Sequence, residues 1–191
     1  MQPLTSKIAN APILIVEDGE FNRDLIAKAL KKSGFKAIEF AENGKVALEK
    51  TYLLKPSLVI LDIDMPVMDG FEYCERIRKN SAFNFMPILV QTALEDREVK
   101  LRALSSGADD FLYKPLDQIE LVLRARIHLE RHALIQDKEE MCQYLTMGMK
   151  DLKQKIDDLN KVSGQKAIMH YFEKHFDMLE TVALNYDPKV A

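Results

Sequence analysis

The sequence predicts an α/β domain built on a doubly wound, five-stranded parallel sheet, followed by an all-α helical extension with coiled-coil character. Three observations predict it. Over residues 11–117, five short apolar runs alternate with segments of helical spacing, and strands that are each followed by a helix require a parallel sheet with helices on both faces. The first, third and fourth runs are almost continuously apolar, as strands buried on both faces must be. From Asp117 onward no Pro or Gly occurs until Gly148, and helix formers dominate.

The elements follow in order. Residues 1–10 read as an N-terminal tail. Pro12 to Val16 is the first strand, and Phe21 to Ser33 a helix with Phe21, Leu25, Ile26, Ala29 and Leu30 on one face, stopped at Gly34. Phe35 to Phe40 alternates like a half-buried strand. Asn43-Gly44 turns the chain into a helix over Lys45 to Leu54, which Lys55-Pro56-Ser57 ends. Leu58 to Leu61 is the third strand and Phe71 to Lys79 the next helix. Pro87 to Gln91 is the fourth strand, Asp96 to Ser106 a helix stopped by Gly107, and Phe111 to Tyr113 a short fifth strand.

Asp117-Gln-Ile-Glu120 has the form of a capping box, with Asp117 as N-cap and Glu120 reaching back. A single helix from Gln118 to Val162 spans about 65 Å at roughly 1.5 Å per residue, longer than the sheet domain requires. Met141, Leu145, Met149, Leu152, Ile156 and Leu159 form an apolar stripe flanked by Lys and Asp, and strict heptads are not sustained. Ser163-Gly164 reads as a break and Gln165 to Leu184 as a last amphipathic helix. Such a stripe must be covered, by the returning helix of the same chain or by a second copy; dimerisation is the favoured expectation, because a short returning helix covers less than half of the long one. The domains are therefore read as 1–10, 11–130 and 131–191.

Composition narrows the function. Hydrophobic residues are 47% and charged residues 30% of the 191, which excludes wholesale disorder. The longest apolar runs, such as Ile13 to Val16, fall far short of the roughly 20 residues of a membrane span. Two cysteines, Cys74 and Cys142, make no disulfide framework, and a cytoplasmic location is expected. Net charge is -3, and residues 131–191 carry 9 Lys/Arg against 10 Asp/Glu with no basic cluster, which disfavours nucleic acid as a partner. His128 and His132 share a helix face without a metal-binding motif and read as exposed or partly packed helix residues, and His170 and His175 as part of the last helix's packing face.

The chemistry sits where the strands end. Glu17-Asp18 follow the first strand, Asp62 and Asp64 the third, Thr92-Ala93 the fourth and Lys114-Pro115 the fifth. In an open parallel sheet these ends lie side by side, the place where such sheets bind ligands. Crowded carboxylates repel one another unless a cation neutralises them, and all-oxygen donors select Mg2+ or a similar hard ion. A lysine and a threonine opposite the metal suit phosphate oxygens, and an aspartate between them is a nucleophile for an aspartyl phosphate.

In this order, Glu17-Asp18, Asp62-Ile-Asp-Met65-Pro66-Val-Met68-Asp69-Gly70, Thr92-Ala93 and Lys114-Pro115 resemble the receiver domain of two-component response regulators, over residues 11 to about 130. The resemblance implies a flavodoxin-like fold with strand order 2-1-3-4-5. It implies Asp62 as phosphoacceptor, Asp18 as a direct Mg2+ ligand, Glu17 acting through water, and the Asp64 backbone carbonyl as a further metal contact. Thr92 and Lys114 then bind the phosphoryl group, Phe111 is the aromatic switch, and the Lys114-Pro115 bond is cis. A histidine kinase or phosphotransfer protein is the implied donor, a downstream protein the implied target, and catalysis is limited to the protein's own phosphorylation and dephosphorylation. Glu17 departs from the commoner aspartate, and Asp64 adds an acid near the site. Two alternatives share parts of the pattern. One is the regulatory fragment of a larger signalling enzyme, such as a cyclase or phosphatase. The other is a haloacid-dehalogenase-like phosphatase, whose Asp-x-Asp pair follows its first strand, whereas Asp62 and Asp64 follow the third.

Overall fold

The computed structural model describes residues 3–92 and 97–163. Ala93, the break at Gly164 and the helix expected over Gln165 to Leu184, with His170 and His175, lie outside the described residues. The element order is α1 (Ser6–Ala9), β1 (Ile13–Val16), α2 (Glu20–Lys32), β2 (Ile38–Ala41), α3 (Gly44–Leu54), β3 (Leu58–Asp62), α4 (Gly70–Ile77), a 3-10 turn (Ser81–Phe83), β4 (Ile88–Thr92), α5 (Arg97–Ser105), β5 (Asp110–Tyr113) and α6 (Gln118–Ser163). The five strands form one parallel sheet in the order β2-β1-β3-β4-β5, the flavodoxin-like arrangement.

Alternation along the strands splits the core in two. Leu14, Val16, Val59, Leu61, Ile88 and Val90 point to one face, where Ala47 of α3 and Phe71, Cys74 and Ile77 of α4 cover them. Ile13, Ile15, Leu58, Ile60, Leu89 and Leu112 point to the other, under Ile26 and Leu30 of α2 and Leu121, Val122, Ala125 and Leu129 of α6. Tyr73 is fully buried beside the first cluster, and its hydroxyl meets Thr51 Oγ1 at 2.8 Å while Thr51 donates to the Ala47 carbonyl at 2.8 Å. Burial pushes the Tyr73 phenol up, so it stays neutral.

Several local expectations are corrected. The N-terminal tail holds α1, capped by Thr5, and Ile8 is buried in the α2/α6 face of the core; four residues are too few to show periodicity. The second strand begins at Ile38, because Phe35 is turned into the core by the bend after Gly34. At the start of α6, Asp117 Oδ1 accepts from the Ile119 and Glu120 amides at 2.7 and 3.0 Å. Glu120 does not reach back. Its carboxylate accepts from Arg124 at 2.8 Å, because the guanidinium one turn on is the stronger partner.

The chain divides after Ala133 into two compact units. In the first, α6 is fastened to β5 by charge as well as by apolar packing. Asp110 Oδ2 accepts from Arg124 at 2.6 Å and meets His128 Nε2 at 3.1 Å. Burial pushes the Asp110 carboxyl up, but the His128 and Arg124 hydrogen bonds outweigh it and hold it below the usual range. His132 is buried, and burial together with the nearby Lys7 charge holds its imidazole down, in the neutral form. A second knot closes the far side. Arg78 donates to the Gly107 carbonyl at 2.9 Å, to the Phe83 carbonyl, and to Asp109 at 2.7 Å. Gly107 has φ +105°, and any Cβ there would lie 2.5 Å from Arg78 Cγ, so glycine is required twice over.

In the second unit, described to Ser163, α6 carries exposed Leu145 and Leu152 between half-exposed Cys142, Met149 and Ile156. Lys155 pairs with Asp151 at 2.6 Å, and Gln154 donates to Asp158 at 3.2 Å, along the helix. Among the described residues no helix is long and apolar enough to cross a membrane.

One strained residue is open to test. Val67, in the loop after β3, has φ +73° and is exposed, a left-handed conformation that a β-branched side chain resists. Val67→Gly relieves about 1–2 kcal/mol of strain and loses about 0.5–1 kcal/mol to unfolded-chain entropy. Urea unfolding is expected to show a small net gain in stability; a loss would mean that the valine side chain contributes contacts that outweigh its strain.

Candidate functional site

Four strand ends and the loop after β3 assemble the site. Beyond β1, Glu17 is buried, at 1% exposure, and held from its own side: Asn22 Nδ2 donates to Oε1 at 2.9 Å and the Gly19 amide at 3.3 Å. Arg23, one turn into α2, donates to the Glu17 carbonyl at 2.9 Å and to the Asp18 carbonyl at 3.4 Å, fixing the backbone that presents both acids. Asp18 is exposed. Asp62 ends β3 at 4% exposure. The loop after it is pinned by Gly70, whose amide donates to the Ile63 carbonyl at 3.0 Å. A Cβ on Gly70 would sit 2.5 Å from the Asp62 carbonyl oxygen, so only glycine lets α4 start this close to Asp62. Asp69 caps that helix, accepting from the Glu72 amide at 2.7 Å. The loop is also tied to its neighbour, since the Gly44 amide donates to the Met68 carbonyl at 3.0 Å.

Lys114 reaches in from beyond β5. Its backbone amide donates to the Thr92 carbonyl at 2.9 Å, which sets the register of the two strand ends. Its ammonium lies 2.6 Å from Asp62 Oδ2 and 3.3 Å from Glu17 Oε2. The Lys114-Pro115 bond is cis. Thr92 is the last residue of β4 and is buried. Phe111 is half-buried on β5, with its ring edge-on to Tyr113 at 5.4 Å. The Asp64 side chain is exposed on the loop and lies outside the carboxylate cluster.

The electrostatics follow from this geometry. Burial pushes the Asp62 carboxyl up. The Lys114 hydrogen bond pulls it down, the Glu17 charge pushes it up again, and the net shift is upward. Burial alone would lower the Lys114 ammonium, but the Asp62 hydrogen bond and the two carboxylate charges win, and it is raised. The lysine is therefore a firm cation, and one positive charge is set against three acids.

Glu17, Asp18 and Asp62 each offer a carboxylate oxygen within 4.8 Å of the others. A donor set of oxygens alone, two of its three residues buried, fits a hard divalent cation, and the upward push on Asp62 is the cost such an ion removes. The arrangement can hold that ion, present a carboxylate to a phosphorus atom, and offer Lys114 to its oxygens.

One residue of the site escaped sequence reasoning. Gln91, one position before Thr92, is 1% exposed, and its Nε2 has no hydrogen-bond partner among the described residues. The only signal was a polar residue closing the otherwise apolar run Pro87 to Val90.

Comparison with known proteins follows the same lines. The family model of the response regulator receiver domain matches residues 13–126. Among solved structures, the chemotaxis response regulator CheY4 of Vibrio cholerae is 32% identical with a TM-score of 0.57, over 63% of this chain and 98% of that one. A two-component response regulator from Clostridium difficile is 30% identical with a TM-score of 0.59, over 64% and 98%. The signal receiver domain of a signal transduction histidine kinase from Syntrophus aciditrophicus is 32% identical with a TM-score of 0.59, over 63% and 90%. The rest of α6, beyond residue 126, lies outside the family match.

The Asp62 shift has a sign that can be measured. A carboxyl whose folded pKa lies above its unfolded value binds more protons when folded, so stability falls as pH rises through that range. In chelator, Asp62→Asn is expected to match the parent near pH 4 and to melt higher than the parent near pH 7. A variant that melts lower at neutral pH would show that the Lys114 pair outweighs burial.

Proposed function

The chain belongs to the response regulator receiver domain family, and from that premise we propose that Asp62 accepts a phosphoryl group and that α6 passes the resulting signal to protein partners. The observation that carries the proposal is the convergence of Glu17, Asp18, Asp62 and Lys114 beyond the carboxyl ends of β1, β3 and β5.

The chemistry proposed is a single displacement. An Asp62 carboxylate oxygen attacks phosphorus, the bond from phosphorus to the leaving group breaks, and the leaving group departs with the electron pair. The product is an acyl phosphate. Lys114 moves its ammonium from the carboxylates to the phosphoryl oxygens, and the Thr92 hydroxyl donates to another of them. Asp18, Asp62, the Asp64 carbonyl and, through water, Glu17 would hold Mg2+, which would supply positive charge against the phosphoryl oxygens. Water later hydrolyses the acyl phosphate, so this catalysis acts only on the protein itself. The phosphodonor is a histidine kinase or a phosphotransfer protein.

Transmission is proposed to run through β5. Thr92 moves toward the phosphoryl group, Phe111 turns into the space left, and Asp110 beside it shifts its hold on Arg124 and His128 of α6. On this reading residues 11–130 are the phosphoacceptor domain and residues 131–191 the output region, in a cytoplasmic protein.

Dimerisation of that region is part of the same proposal. Cys142, Leu145, Met149, Leu152 and Ile156 are spaced 3, 4, 3 and 4, the a/d pattern of a coiled coil, with Leu at both d positions. The register runs out on either side, with Lys138 at the preceding d position and Ser163 at the a position after Ile156. The charged neighbours Asp151, Lys155 and Asp158 find partners along their own helix, which leaves the seam apolar.

Two experiments test this reading. Incubation with a small phosphodonor and Mg2+ is expected to add one phosphoryl group by mass to the parent and none to Asp62→Ala; steady turnover of a phosphomonoester without a labelled protein would favour the phosphatase alternative. For the arm, mild oxidation of a parallel, in-register dimer is expected to cross-link Cys142 to its counterpart. Cys74 does not compete, since burial pushes its thiol up to about 12. A cross-link lost in Cys142→Ala supports the dimer. A monomer by light scattering with no cross-link contradicts it.

A further inference from the structure

Gln91 occupies a place in the site that the phosphoacceptor reading does not use. Within β3, Leu58 and Ile60 face the α2/α6 side of the sheet; within β4, Leu89 does; within β1, Ile13 and Ile15 do. Side chains alternate along a strand, so Glu17, Asp62 and Gln91 all face that same side. Asp62 and Gln91 are direct partners in the β3–β4 register. The strands are about 4.8 Å apart, so the two side chains leave neighbouring positions in one row, within reach of a group bonded to the Asp62 carboxylate. Lys114, two residues beyond Leu112 on the same face, crosses the position of β4 to reach Asp62 and Glu17. Gln91 thus lies in the row that the lysine crosses.

Its amide is out of place in the unphosphorylated protein. Gln91 is 1% exposed, and Nε2 has no acceptor among the described residues. Buried donors are almost always paired, and one left unpaired beside a reactive group calls for an explanation. Lys114 already occupies Asp62 Oδ2 at 2.6 Å and Glu17 Oε2 at 3.3 Å. The missing element is an acceptor, and a phosphoryl group brings acceptors to the neighbouring strand end.

We infer that Gln91 is a positioning residue for the phosphorylated state, its amide donating to an oxygen of the aspartyl phosphate at Asp62. The inference rests on Asp62 being the phosphoacceptor. Two costs change together on phosphorylation: Lys114 is drawn to the phosphoryl oxygens, and the orphaned donor gains a partner. The glutamine therefore disfavours the resting protein and favours the phosphorylated one, which biases the switch toward its active side.

The test compares the parent with Gln91→Met, which keeps the volume and removes the amide, and with Gln91→Leu as a second apolar replacement of different shape. Binding of beryllium fluoride, a phosphoryl mimic, is titrated in Mg2+, and melting is measured in chelator. Both variants are expected to bind the mimic about fivefold more weakly, the equivalent of one hydrogen bond of about 1 kcal/mol, and to melt no lower than the parent. Parental affinity in both variants overturns the inference. So does weakened affinity with a lower melting temperature in both, which assigns Gln91 a packing role. If the parent itself fails to bind the mimic, or Asp62→Ala binds it equally well, the phosphoacceptor reading falls and takes this inference with it; parental binding that the Gln91 variants do not change sinks the inference alone.

Discussion

Three carboxylates offer oxygens within 4.8 Å of one another and repel when ionised, and the rest of the molecule is arranged around that constraint. Lys114 supplies one positive charge. It is not enough, since Asp62 is still pushed upward. The site is therefore electrostatically unfinished, which fits the proposed divalent cation and the proposed phosphoryl group, the second of which would give the lysine somewhere else to go. A fully neutralised cluster would be more stable and would have less reason to respond to either.

The fold holds this unfavourable cluster in place by apolar means. Strands buried on both faces align their ends, the Lys114 amide ties β5 to Thr92, and Gly70 lets α4 begin against the Asp62 backbone. The same sheet also links the site to the long helix. Asp110 is next to Phe111 and is bound to Arg124 and His128, which gives the proposed change at the end of β5 a contact with the helix that continues beyond the domain. Partly buried charged hydrogen bonds such as these are strong and directional, whereas the exposed Lys155–Asp151 pair farther along the helix contributes about 0.3–0.5 kcal/mol.

Much of this was legible in the sequence, for a physical reason. Ile13 to Val16, Leu58 to Leu61 and Pro87 to Val90 are apolar on both faces, so their ends, and the acids beyond them, can be located to within a residue. Half-buried β2 was placed less well, because Phe35 belongs to the core without belonging to a strand. Contacts between distant positions were not legible at all. Arg78 meets Gly107 and Asp109, 29 and 31 residues away, and no local pattern announces such a knot. Glu120 looked like a cap and proved to be the partner of Arg124, a competition that only geometry decides. Gln91 read as the end of a strand, and its significance came from its register partner on β3.

The central claim is that phosphate is held on one carboxylate at the end of β3. Borohydride reduces an acyl phosphate to an alcohol, which converts a phosphorylated aspartate into homoserine. Peptide mapping of the labelled and reduced protein is predicted to find homoserine at position 62 alone. Homoserine at position 18 or 64, or a label that resists borohydride, would contradict the account.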